Sequence, residues 1–321
     1  MKSLTTDTLT QHDGQNRISS GDAALAERLE LFFGEATDTL CRVYARLEDR
    51  EPDADARLSG TISGPECEYA HTLPATFALA DRGPGVSLLA EAVIPDPCFW
   101  TPDLPHLYRV RVELRRGGKG VAAVERLFGI RPLGVRDKCL AYHNKRWVLR
   151  GVSRQSAPQA DLPDWREAGA AMLLPHPDET LCDRASRTGV LLVAELSGDR
   201  GHILSELRRL GRWPAVGLAV LDANRPDLED VGRVAPNLLL AERFTGSEKV
   251  LPDHWTHLAV VEVEVGQNAA EQLRRRIGGL TLPAIVLRPA GYGESIGHAR
   301  TLCDHLQRDF ASLGDFAGYV V

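Results

Sequence analysis

Long apolar runs, paired cysteines and aromatic residues are all scarce in this sequence of 321 residues. No apolar stretch approaches the ~20 residues of a membrane-spanning helix. The first 22 residues are polar and have no apolar segment behind Met1-Lys2, so we expect no signal peptide. The six cysteines form no Cys-x-x-Cys pair, which favours reduced thiols in a cytoplasmic protein over a disulfide framework. Aromatic residues make up only 6% of the chain, so few rings are available for stacking against a sugar.

Signals for nucleic acid, metal or cofactor binding are also missing. The net charge is −6 and the basic residues are spread along the chain, so we expect no nucleic-acid partner and no membrane surface as partner. The ten histidines form no His-x-His or His-Glu-x-x-His pair, and Walker and Rossmann patterns are absent. The sequence therefore predicts no metal and no cofactor.

The first half of the chain has the alternation of a β-sandwich. Residues 1–23 are polar and are predicted to form a disordered lead. Within 24–138, Tyr108 and Val112 belong to a strand that alternates with arginines, and the glycine-rich turn at 116–120 returns the chain towards Phe128. We expect those three side chains to be buried, and we expect the alternating arginines to face solvent. Short strands with such turns over this length are typical of an Ig-like sandwich.

The second half, residues 139–321, alternates apolar runs with helix signals. This pattern is typical of a parallel sheet covered by helices, and eight such runs predict a compact (β/α)₈ barrel whose eighth strand pairs with the first and seventh. The fold class expected for the whole chain is therefore an all-β Ig-like sandwich followed by a TIM-like barrel. The eight runs are 148–152, 171–174, 190–195, 216–222, 238–242, 258–264, 284–288 and 318–321.

Three motifs occur in order across the join between the two halves. Residues 98–108 contain Trp-Thr-Pro-Asp-Leu-Pro-His-Leu-Tyr, residues 127–131 read Leu-Phe-Gly-Ile-Arg, and residues 143–152 include Leu-Arg-Gly-Val. Together they resemble the signatures of glycoside hydrolase family two, which includes β-galactosidases, β-glucuronidases and β-mannosidases. The resemblance implies an Ig-like domain directly before a catalytic barrel.

The same resemblance implies that both catalytic positions are altered. In the family, the fourth barrel strand ends in an Asn-Glu pair whose Glu is the general acid/base, and the seventh ends in the nucleophilic Glu. Here the first position holds Asn224, or Arg225 if one inserted residue is allowed, and the second holds Arg288. None of these side chains can exchange a proton with a glycosidic oxygen near neutral pH. The resemblance thus indicates a catalytically inactive protein.

The site of a TIM barrel lies where the strands end, and several charged residues fall there. We expect Arg288 to pair with Asp222, Glu242 or Glu264 and to neutralise it. The acids could instead hold a divalent cation or, if two lie about 5 Å apart, carry relocated glycoside hydrolysis. The candidate ligand-binding rim is Glu195, Asp222, Glu242, Glu264, Arg288 and Tyr292.

Two functions remain open from the sequence. The first is a catalytically inactive relative of the family that binds a carbohydrate or a protein partner. The second is an active O-glycosyl hydrolase that uses relocated carboxylates. Short predicted loops after the strands and few aromatic residues favour the first.

Overall fold

A computed structural model describes most of the chain. The described residues are 20–47, 55–83, 85–156, 161–228, 231–264, 266, 268–289 and 295–321. Residues 1–19 of the predicted disordered lead lie outside them, whereas residues 20–23 already belong to helix α1, Ser20–Arg28. Among the described residues, no helix is both long enough and apolar enough to cross a membrane.

Seven antiparallel strands follow α1 and form one sheet. Their order across the sheet is β1-β2-β5-β4-β3-β6-β7, and the sheet curls around a single apolar core. The strands are β1 Leu29–Ala36, β2 Leu40–Leu47, β3 Ala56–Glu66, β4 Ala75–Asp81, β5 Leu88–Pro95, β6 Leu107–Arg116 and β7 Lys119–Phe128.

The β6–β7 hairpin confirms the register predicted from the alternation. Tyr108 lies opposite Phe128, and both are buried together with Val112. Arg109 and Arg111 alternate with these residues and are exposed. Successive side chains of a strand point to opposite faces, so the apolar set of the hairpin lies in the core and the arginines face solvent.

A small three-stranded sheet connects the two halves, with the strands β8 Leu133–Arg136, β9 Cys139–Tyr142 and β10 Lys145–Trp147. The first two of the three sequence motifs, at 98–108 and 127–131, contact the barrel close to this sheet. The Trp100 indole donates to the Ser186 carbonyl oxygen at 2.8 Å, so the first motif fixes the loop after β5 against a barrel helix. At Gly129 a Cβ atom would lie 2.7 Å from the Pro214 side chain, so the second motif needs glycine for close approach to the barrel.

Eight parallel strands then form a closed barrel. Each predicted apolar run overlaps one of them, and the ends differ by at most two residues. The last strand pairs with both the first and the seventh, as expected from the sequence. The strands are β11 Leu149–Ser153, β12 Ala171–Pro175, β13 Leu192–Leu196, β14 Val216–Asp222, β15 Leu239–Phe244, β16 Leu258–Glu262, β17 Ala284–Leu287 and β18 Gly318–Val320.

Within the described ranges, five α-helices cover the barrel: α2 Leu162–Glu167, α3 Glu179–Thr188, α4 Arg200–Leu210, α5 Ala269–Arg276 and α6 Ile296–Phe310. α6 buries Ala299, Cys303, Leu306 and Phe310, which is the face predicted from their spacing. In the described part of the chain, the connections on either side of β15 contain no α-helix. The Ig-like sandwich and the TIM-like barrel predicted from the sequence are confirmed.

Candidate functional site at the barrel mouth

Strand pairing determines which side chains enter the barrel. In the parallel ladder Asp222 lies beside Arg243, and Arg243 lies beside Val260, so these three residues share one face. Glu195 and Glu262 belong to that face as well, because both reach Arg243 from other strands. β13 and β15 are not neighbours in the barrel, so Arg243 can reach Glu195 only across the interior, and this is the inner face of the barrel.

Arg243 is the centre of the barrel mouth. Its Nη1 lies 2.6 Å from Glu195 Oε1, and its Nη2 lies 2.7 Å from Glu262 Oε2. Its Nε also donates to Glu262 Oε2, at 3.1 Å. One guanidinium therefore bridges the carboxylates of the third and sixth barrel strands, and all three side chains are about three-quarters buried.

The acids at the mouth outnumber this one arginine. Burial raises the pKa of Glu195, repulsion from Asp222 and Glu262 adds to the shift, and Arg243 opposes it. Burial acts to lower the pKa of Arg243, but its contacts with Glu262 and Glu195 outweigh burial and raise it. The guanidinium thus stays charged between two carboxylates.

Glu242 does not belong to the mouth, so its place in the predicted rim is wrong. It precedes Arg243 on β15 and points to the outside of the barrel, where it is 1% exposed. Its Oε2 accepts from the Asp253 backbone N–H at 2.9 Å, in the loop that leads to β16. Burial raises the pKa of Glu242 to about 7, because the charged form has lost its water.

Arg288 also points away from the mouth, which contradicts the predicted pairing with Asp222, Glu242 or Glu264. Leu287 lies beside Glu262 and faces inwards, so the next residue faces outwards. Arg288 Nη1 lies 3.3 Å from Asp309 Oδ2 of α6, and its guanidinium lies 5.6 Å from the Phe310 ring centroid. The position that resembles the nucleophile slot is therefore part of the helix layer.

The remaining predicted residues lie around the mouth. Asn224 follows β14 in a left-handed conformation, with φ of 63°, and is exposed. Arg225 makes two bonds to Asp227, at 2.8 and 2.9 Å, and Glu264 is exposed two residues after β16. Tyr292 lies outside the described residues.

Sequence reasoning missed Arg243 because it ended the fifth strand two residues too early, at Glu242. The strand continues to Phe244, and the period of two then puts Arg243 on the inner face. The alternation of Glu242, Arg243 and Phe244 could have shown that only one of the two charged residues enters the barrel. It could not have shown which one does.

At the barrel mouth Arg243, Glu195 and Glu262 pair with one another and are not available to a substrate. A retaining glycosidase needs the anomeric carbon between two carboxyl groups about 5 Å apart, and here Arg243 lies between the carboxylates. Among the described residues, no group of three or more histidine, cysteine, aspartate or glutamate side chains is placed to hold a metal ion.

Each sequence match to known proteins covers only part of the chain. Residues 35–131 match the family model of Glycosyl hydrolases family 2. A Beta-galactosidase of Oenococcus oeni is 30% identical over 81 residues, which are 25% of this chain and 8% of that enzyme. The match to the family-two glycoside hydrolase model is thus confined to the first half of the chain. A Beta-galactosidase of Leuconostoc mesenteroides is 28% identical over 64 residues, or 20% of the chain and 6% of the enzyme.

Solved structures extend the likeness to nearly the whole chain. An FMN-binding beta-glucuronidase from Facaelibacterium prausnitzii superposes with a TM-score of 0.67 over 92% of this chain and 55% of its own, at 16% identity. A putative beta-galactosidase from Bacteroides fragilis gives 0.62 over 92% and 54%, at 14% identity. At these identities the likeness establishes the fold alone. The chain spans about half the length of these two structures.

Proposed function

We propose that this chain is a catalytically inactive family-two relative whose barrel serves as a binding or interaction module. Both positions that resemble the family's catalytic glutamates carry other residues, namely Asn224 or Arg225 after β14 and Arg288 after β17. The observation that carries the proposal is Arg243, whose guanidinium lies between Glu195 and Glu262 where a sugar would have to react.

The surroundings of the mouth also support this proposal. Of the two aromatic residues in the candidate loops, Phe244 is buried and Tyr292 lies outside the described residues. A sugar ring gains affinity by stacking on an exposed aromatic face, and the described strand ends offer none. The partner of such a module would be a carbohydrate that binds without reacting, or a protein.

Hydrolysis by relocated carboxylates is the second candidate, and one observation favours it. Glu195 faces the mouth and has a raised pKa, which is the property of a general acid in glycosidases. For catalysis Arg243 would have to leave its position between the two carboxylates. The loss of two short ion pairs opposes that movement.

Turnover of aryl β-galactoside, β-glucuronide and β-mannoside separates the two functions. We expect the parent protein to release no more aryl alcohol than the Glu195→Gln and Glu262→Gln variants do. A thermal-shift screen over neutral and acidic sugars, run on the same samples, tests ligand binding without turnover. Turnover by the parent that is lost in either folded variant would support the hydrolase and contradict our proposal.

We also propose that the protein is cytoplasmic and that its domains divide at 138/139. All six cysteines lie among the described residues and are free, which agrees with a reducing compartment. The proposed boundary falls in the turn between β8 and β9. Fractionation of the native host and limited proteolysis test these two points. Finding the protein in an oxidising compartment would contradict the proposed location. Cleavage confined to sites far from 138 would contradict the proposed boundary.

A further inference from the structure

A cavity lies at the seam between the sandwich and the barrel, away from the barrel mouth. It has a volume of about 320 Å³, which is within the usual size range of small-molecule sites. One wall is the end of α1 and the start of β1, at residues 27–31. The other wall is the end of α4 with the following turn, at 208–212, and the segment 234–237.

Arginines dominate the charge of this seam cavity. Arg28, Arg208 and Arg212 line it, together with Glu27 and Glu30. Glu30 is already bound by Arg46, at 2.6 Å, so its charge is compensated outside the cavity.

Two guanidiniums at the seam carry charge without a counter-ion. Arg212 donates to the Glu27 carbonyl oxygen at 2.8 Å, and Arg126 donates to the Leu29 carbonyl oxygen at 2.8 Å from behind the same wall. In the described part of the chain, neither guanidinium has a carboxylate within 4.0 Å. Carbonyl oxygens satisfy hydrogen bonds but leave the net positive charge in place.

Burial makes this charge costly. Burial lowers the pKa of Arg126 to about 10, and repulsion from Arg212 adds to the shift. Burial likewise lowers the pKa of Arg212, although Glu179 and Glu27 offset part of the effect at longer range. Partly buried like charges without a counter-ion destabilise a fold, and a bound anion would relieve them.

We propose that the seam cavity binds a small oxyanion, a phosphate or carboxylate group, between Arg208 and Arg212. Arg208 is exposed at the rim in the last turn of α4 and makes no ion pair with the described residues, so its guanidinium is free to bind a ligand. Arg212 is held in place by the Glu27 carbonyl oxygen and still has donors to spare. The forked donors of arginine match planar or tetrahedral oxyanions.

Thermal unfolding in sodium phosphate, in sodium acetate and in sodium chloride at matched ionic strength and pH 7 tests this site. An anion that binds the native state raises the Tm in a saturable way, above the effect of chloride. A rise in phosphate alone identifies a phosphate site, and a rise in acetate alone identifies a carboxylate site. No rise above chloride in either salt would overturn the proposal.

Two arginine variants locate the effect. We expect Arg208→Gln to weaken the affinity for the anion about tenfold, since one charge-assisted hydrogen bond is lost. The matched control is Arg274→Gln, because Arg274 is also exposed in the last turn of a helix, α5, but lies outside the cavity. Arg208 makes no hydrogen bond to the described residues, so Arg208→Gln removes one arginine of the site and leaves the bond from Arg212 to the Glu27 carbonyl oxygen in place. Equal affinities in Arg208→Gln and Arg274→Gln would overturn the proposal.

Discussion

At the scale of single residues, Arg243 decides what the barrel mouth is. It holds Glu195 and Glu262 with short ion pairs, and it occupies the space that chemistry would require. Asp222 adds a third acid to the same face without a salt bridge to the described residues. The mouth is therefore a compensated charge network whose stability depends on one guanidinium.

The Arg243→Met variant should be about 2 kcal/mol less stable than the parent at pH 7, because it leaves two partly buried carboxylates to repel each other. The loss should shrink at pH 5, where protonation of Glu195, whose pKa burial raises, relieves part of the repulsion. Urea unfolding at both pH values measures it. Arg109→Met is the control, since Arg109 also bridges two glutamates but on the exposed face of the sandwich, where ion pairs contribute less than about 1 kcal/mol. Equal losses in the two variants would contradict the special role of Arg243.

Glu242 should make stability fall as the pH rises. Its pKa in the folded state is raised from 4.5 to about 7, so the folded state keeps a proton that the unfolded state has released. The contribution of Glu242 is therefore fully present below about pH 4.5 and is lost as the pH rises through about 7. The Glu242→Gln variant lacks this loss, and its amide can donate to Asp253 as the protonated acid does.

The free energy of unfolding measured between pH 5 and 8 checks this prediction. Glu242→Gln should gain on the parent as the pH rises, by roughly 2–3 kcal/mol at pH 8. Glu271→Gln, an exposed change in α5, serves as the control. Parallel curves for the parent and Glu242→Gln would show that the buried acid does not titrate in this range.

At the scale of elements, Arg131 joins the sandwich to the barrel. It is 5% exposed and follows the Phe-Gly-Ile segment, and its guanidinium donates to the carbonyl oxygens of Pro214, Val216 and Asn237. These carbonyls lie at the start of β14 and just before β15. One side chain of the second motif thus caps the lower ends of two barrel strands.

We expect Arg131→Met to destabilise the protein by about 2–4 kcal/mol, because three buried carbonyl oxygens lose their donors. The comparison is Arg136→Met, an exposed position in the neighbouring β8, which should change stability by less than about 0.5 kcal/mol. Denaturant unfolding with two probes, one in each domain, also reports whether the domains unfold together. A loss in Arg131→Met no larger than that in Arg136→Met would contradict the joining role.

The sequence predicted the elements well because their signals are local. The eight apolar runs and the α6 face at Ala299, Cys303 and Phe310 depend only on the period of two or 3.6 residues. Side-chain direction at strand ends depends on where each strand stops and on which strands face each other across the barrel. That is why Glu242 and Arg288 were assigned to the wrong face and Arg243 was missed.

At the scale of the whole molecule, the seam cavity and the barrel mouth belong to different surfaces. The mouth lies at the ends of β13 to β16, whereas the seam cavity lies where the sandwich meets the barrel. Loss of catalysis at the mouth would leave the joined domains as a rigid support. A partner bound at either surface would then use the scaffold without the family's chemistry.

Hydrolysis of the three aryl glycosides by the double variant Asn224→Glu with Arg288→Glu tests the central claim most directly. The variant supplies carboxylates at both positions that resemble the catalytic slots. We predict no turnover, because the side chain at 288 points towards α6 and Arg243 still lies between Glu195 and Glu262. Turnover by the folded double variant, above that of the parent, would show that a working sugar site has survived and would contradict the account.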